Sequence, residues 1–216
     1  MFDELNSLAE AIRSDFVRRN TARDAAIARS RELIRHCSEA IRATHRREWD
    51  NAEAKQAQAQ AGADELRALV ADFPDLYYSG YVQDALKEVV EAFATYAIIR
   101  GQPLPTMETL HVEASIYING LAEAATELRR FILDILRRED GGEASSLAEA
   151  ERLLGWMDAV YDHLVAFDFP DAITGDLRRR TDVVRGVLER TRGDLTTTIQ
   201  QNRLQAALKR FESRAT

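Results

Sequence analysis

Apolar residues recur at helical spacing along almost the whole of this chain. No stretch alternates apolar and polar residues between turn signals, as a half-buried strand would. Stop signals are sparse as well: four prolines in 216 residues leave few places where a helix must end. The pattern predicts an all-α fold, a single domain over residues 1–216 made of about six or seven antiparallel helices joined by short loops.

The boundaries follow from periodicity and breakers. A first helix is expected over 2–19, with Phe2, Leu5, Leu8, Ile12 and Phe16 on one side. Asn20 and Thr21 mark a break, with Thr21 as the cap of a long second helix. That helix carries a narrow apolar stripe of Ile27, Ile34, Cys37, Ile41 and Thr44. Its Ala-, Gln-, Lys- and Glu-rich tail, 50–61, has little to bury and reads as an exposed end. A short helix over 63–71 stops before Pro74, and a third main helix over 77–99 stops at Gly101, Pro103 and Pro105. The fourth, 107–138, ends in "EDGGEASS"; the fifth covers 146–167; the last starts at a Thr174 or Asp176 cap and runs to about 212.

Several function classes fall away. No apolar run approaches the roughly 20 residues of a membrane span. The first residues, with Asp3 and Glu4, lack the apolar core of a signal peptide, so a cytoplasmic protein with no membrane partner is expected. The lone Cys37 excludes an internal disulfide and a multi-cysteine zinc site. No phosphate-binding glycine loop is present. Glu108 and His111 form one E-x-x-H without the second copy a di-iron site needs. With a net charge of −7, nucleic-acid binding requires locally gathered cations or a metal that offsets the anions.

Two acidic pairs stand out. On the third helix Val82, Leu86, Val89, Val90, Phe93 and Tyr96 fill one side, while Lys87, Glu91 and Thr95 lie on the other and Glu88 at the boundary. On the fourth, Glu123, Glu127, Arg130 and Asp134 form a polar stripe, with Arg130 placed to offset the repulsion of the two glutamates. Spacing leaves two readings open: two solvated faces, or four carboxylates facing one cleft. The second would suit a hard dication, Mg²⁺ or Mn²⁺. Arg31, Arg35, Arg42 and Arg46 share one face of the second helix, with His45 beside them and Trp49 a turn further on. A basic stripe ending in an aromatic suits a single-stranded nucleic acid, though a solvated face has the same spacing. "LRRRTD" at 177–182 is a second cluster, equally readable as a solvated helix start.

Four stretches in order resemble the translin superfamily, which comprises translin and TRAX. They are "SRELIRHCSEAIRATHRRE" with its His45–Arg46 pair, "YYSGYVQDALKEVVEAF", "YINGLAEAATELRR" and "FPDAITGDLRRRTDVVRGVLERTRGDL". The resemblance implies a translin-like helical fold that assembles into an oligomeric shell, in the family an octamer. It implies single-stranded RNA, and for translin also DNA, as ligand. From TRAX it implies a Mg²⁺-dependent (or Mn²⁺-dependent) endoribonuclease whose metal ligands are Glu88, Glu91, Glu123 and Glu127. Glu123 stands where TRAX has Asp and is one methylene longer. Arg31, Arg35, Arg42, His45 and Arg46 would then guide the strand. The alternatives are a non-catalytic, translin-like binder of single-stranded RNA or DNA and a helical protein-interaction scaffold.

Overall fold

A computed structural model describes residues 2–137 and 143–215. These residues form α1 (Phe2–His45), α2 (Trp49–Val70), α3 (Pro74–Tyr77), α4 (Gly80–Arg100), α5 (Met107–Leu110), α6 (Ala114–Arg137), α7 (Glu143–Ala166), α8 (Asp171–Thr174) and α9 (Leu177–Ala215). No strand occurs among them, so the all-α expectation holds. Residues 138–142, which include the expected end of the fourth helix, lie outside the described residues.

The first boundary differs from the sequence reading. α1 runs unbroken through Asn20 and Thr21. Thr21 Oγ1 donates to the Val17 carbonyl at 2.9 Å and Asn20 Nδ2 donates to Asp24 at 3.2 Å. Both side chains are satisfied inside the helix, so neither has to act as a cap. The chain turns instead at Arg46–Glu48, where Arg47 takes φ 60°. α2 then folds back antiparallel along α1: Glu39 pairs with Lys55 at 2.8 Å, Arg29 pairs with Glu65, and Gly62 lies against Leu33. The stretch 50–61 is therefore a packing face and not an exposed end. Ala52 and Ala59 are fully buried. Small side chains let two helix backbones approach, so this face needs no long apolar residues.

Direction matters more than number for the site. α6 and α7 are antiparallel neighbours, as are α7 and α9. α4 and α6, however, run the same way: Lys87 meets Glu123, while further along Ile98 packs with Leu128, Phe131 and Ile132. Residues 101–113 make this possible by returning the chain past α4, so that Arg67 of α2 donates to the Leu110 carbonyl at 2.5 Å. α4 begins this return at Gly101, whose φ of 66° closes the helix. Arg152 of α7 satisfies two of its last carbonyls, Ile98 at 2.8 Å and Ile99 at 3.1 Å.

α4 is enclosed on nearly every side. α1 and α2 cover one flank, where Gln56 donates to the Ala92 carbonyl at 3.3 Å, and α6 covers the other. The closest approach is at Gly120 of α6, where a Cβ would stand 2.6 Å from Val90 Cβ and 2.8 Å from the Lys87 carbonyl oxygen. This enclosure pulls the polar side of α4 inward: Lys87, Glu91 and Thr95 are all buried.

Candidate carboxylate metal centre

The parallel run of α4 and α6 sets the two acidic pairs level, Glu88 beside Glu123 and Glu91 within electrostatic reach of Glu127. One carboxylate oxygen from each of Glu88, Glu91 and Glu123 lies within 4.8 Å of the others, so these three could hold a metal ion. Glu91 is 9% exposed; the other two are half-buried. Burial, then the charge of Glu88, then that of Glu127 push the Glu91 carboxyl up to about 8, against the opposing pull of Lys87 and Arg180. Beneath them lies Cys37 of α1. Burial, Glu88 and Glu91 push its thiol far above the ordinary range, so it stays protonated.

Glu127 stands beside the trio and is held by His45. His45 Nε2 lies 2.8 Å from Glu127 Oε2, and its ring packs on Phe131 with centroids 6.1 Å apart. A carboxylate only accepts, so the ring proton resides on Nε2. The sequence resemblance puts His45 among the strand-guiding cations. Its side chain is 2% exposed and faces the carboxylates instead, because α1 ends with that side of its last turn against α6.

The cations at the carboxylates are not the expected one either. Arg130 is exposed and pairs with neither glutamate. Lys87 Nζ lies 2.5 Å from Glu123 Oε2 and 3.4 Å from Glu88 Oε1, and Arg180 pairs with Glu123 from α9. Arg180 belongs to the "LRRRTD" cluster that also reads as a solvated helix start. Lys87 falls on a polar face by its spacing. Neither signal can be ranked without knowing that α4 and the start of α9 converge on Glu123.

Arg31, Arg35, Arg42 and Arg46 are all exposed, as a stripe requires. Arg35 lies 3.6 Å from Glu32, and Arg46 lies 4.0 Å from Glu48. At 100° per residue the stripe faces away from Cys37, which is the side of α1 turned to Glu88 and Glu91. Within one chain, then, the stripe and the carboxylates occupy opposite sides of the α1 layer. Glu108 and His111 are both exposed, and His111 lies 3.9 Å from Asp64 of α2.

No protein-family model matches the chain. It is 32% identical over 212 residues to an uncharacterized protein of Methanocaldococcus jannaschii, covering 97% of this chain and 89% of that one. Among solved structures, that of AfC3PO superposes with a TM-score of 0.80 at 31% identity, over 89% of this chain and 97% of the other. Apo-NeC3PO superposes with a TM-score of 0.77 at 18% identity, over 88% and 96%, which speaks for the fold alone. With the C3PO fold matched almost end to end by a solved relative of this identity, and with four motifs in register, the chain belongs to the translin superfamily.

Proposed function

We propose that this protein is a metal-dependent endoribonuclease that binds and cleaves single-stranded RNA, TRAX-like in its carboxylates. The carrying observation is the convergence of Glu88, Glu91 and Glu123, with Glu127 level beside them. The donor set fits a hard dication. Glu88, Glu91 and Glu123 would hold the ion, each offering one carboxylate oxygen within 4.8 Å of the others. When bound, such an ion supplies Lewis acidity and a more acidic water. The chain's own residues do the rest. His45 fixes the rotamer of Glu127, and the enclosed Glu91 would ligate the ion as a carboxylate.

Assembly into a closed oligomer, an octamer by family resemblance, draws support from the ends of the chain. Phe2, Leu5, Leu8, Ile12 and Phe16 form an exposed apolar stripe on α1, and Leu204, Leu208 and Phe211 form another on α9. Contiguous apolar faces of this kind are features of subunit contacts. In such an assembly the arginine stripe of one subunit need not serve the carboxylates of the same subunit.

The test is cleavage of a labelled single strand with Mg²⁺ or Mn²⁺. Glu88→Gln and Glu127→Gln should abolish it while leaving assembly and RNA binding in place, and Glu151→Gln, exposed on α7, should behave as wild type. Wild-type protein that binds RNA but neither cleaves it nor binds a dication would leave the non-catalytic reading standing. One observation favours that second reading: Lys87 and Arg180 already neutralise Glu123 without any metal.

A further inference from the structure

Two permanent cations set among four carboxylates raise a question of charge. Glu88, Glu91, Glu123 and Glu127 bring four negative charges when ionised, and Lys87 and Arg180 return two. The remainder matches one dication. A second would leave the cluster net positive in a half-buried setting, where uncompensated charge is costly. The Lys87 ammonium also bridges Glu88 and Glu123, so one oxygen of each already faces a cation.

We propose that Lys87 and Arg180 stand in for the second metal of a two-metal nuclease, so that each chain holds one dication and these two side chains receive the scissile phosphate. The inference rests on the nuclease reading above. Hydrolysis forms one phosphorus–oxygen bond from water and breaks one to a ribose oxygen, with the water's proton ending on the departing oxygen or in solvent. Charge grows on the phosphate oxygens during that exchange, and a pair of fixed donors aimed there does what a second ion would do.

The surroundings suit a phosphate. Lys87 and Arg180 line one cleft of about 200 Å³ together with Gln83, Ser115 and Asn119, and their two cations outnumber its one acid, Asp84. Arg180 also lines a second of about 290 Å³, beside Glu123 and Thr126. Arg180 is thus the wall between two openings, reachable from either. Its guanidinium engages Glu123 through Nη1 and its buried Nε makes no hydrogen bond, which leaves Nη2 of the planar fork for a phosphate. With a dication bound, Lys87 still balances Glu88 and Glu123 through two of its three N–H donors, and the third is left for the phosphate.

Mn²⁺ binding to the assembled protein reads the stoichiometry directly, by titration followed in the electron paramagnetic resonance signal. One ion per chain is expected; two would overturn the proposal. Lys87→Met should bind Mn²⁺ several-fold more tightly, since a competing cation is gone. At saturating Mn²⁺ it should nevertheless cleave RNA about 100-fold more slowly, the loss typical of one transition-state donor. Lys87→Arg and Arg180→Lys, which keep the charge and guard against misfolding, should retain one ion and part of the rate. If Lys87→Met gains Mn²⁺ affinity and still cleaves at the wild-type rate when saturated, Lys87 is only a counter-ion and the proposal fails. Wild-type protein that binds one Mn²⁺ per chain without cleaving ends the nuclease reading separately. Reduced RNA affinity of Mn²⁺-loaded Lys87→Met would then still report the phosphate contact, and unchanged affinity would refute it.

Discussion

His45 Nε2 lies 2.8 Å from Glu127 Oε2, although the two residues are 82 positions apart in the chain. The contact joins the end of α1 to α6 and fixes one oxygen of a carboxylate next to the proposed ligand trio. Removing the donor leaves a half-buried carboxylate unpaired, at a cost of about 1–3 kcal/mol. His45→Phe, which keeps the packing on Phe131, should lose that much in urea unfolding and bind Mn²⁺ about 10-fold more weakly, as is usual when the partner of a ligand is removed. His45→Gln, whose amide can still donate near the Nε2 position, should recover most of both. If the Phe and Gln variants bind Mn²⁺ equally well, His45 is core packing and nothing more.

The arginine stripe makes a separate prediction, since it faces away from the carboxylates. Arg42→Ala together with Arg46→Ala should weaken single-strand binding and flatten its log–log salt dependence by about 0.7 for each phosphate that is no longer neutralised. Mn²⁺ stoichiometry and affinity should stay as in wild type. Filter binding across a salt series checks it. An unchanged slope would mark the stripe as a solvated face.

Glu91 gives the metal-free protein a pH dependence of defined sign. Its carboxyl titrates at about 8 when folded, against 4.5 when unperturbed. Between those values the folded state holds a proton that the unfolded chain has released. Stability from this group is therefore highest at the acid end and falls as pH rises through the window, by on the order of a few kcal/mol at most. The groups facing it are Glu88 and Lys87 on α4, Glu127 on α6 and Arg180 on α9. Urea unfolding in a chelator at pH 5 and pH 8 should show the loss in wild type and a smaller one in Glu91→Gln. Mn²⁺ at pH 8 should restore stability to wild type alone.

Helicity is legible in the sequence because periodicity is a local property, and the acidic pairs because they sit at helical spacing in recognisable motifs. Neighbourhood is less legible. The sequence cannot show that α4 is enclosed by α1, α2 and α6, so Lys87, Glu91 and Thr95 look like a wet face. Nor does it mark the turn at Arg46–Glu48, which has no glycine or proline; Asn20 and Thr21 offer a better-looking break and prove to be satisfied within α1. Ala52 and Ala59 look unable to bury anything because a close helix pair needs little side chain. Arg180 and His45 reach the site through direction and register, which no spacing within one helix records.

Gly120 is the position where fold and site are tied together. A Cβ there would stand 2.6 Å from Val90 Cβ and 2.8 Å from the Lys87 carbonyl oxygen. A side chain could swing away, but a carbonyl inside α4 moves only with its helix. Gly120→Ala should therefore push α6 off α4, at a cost of about 1–3 kcal/mol from overpacking. The shift would also separate Glu123 and Glu127 from Glu88 and Glu91, so Mn²⁺ affinity should fall although no ligand has changed. Gly155→Ala is the matched control: nothing lies within 4 Å of its Cβ position on α7, and alanine should stabilise the helix by up to about 1 kcal/mol without touching Mn²⁺ binding. If Gly120→Ala loses stability yet holds Mn²⁺ as tightly as wild type, the spacing of α4 and α6 does not set the centre, and the ion binds elsewhere.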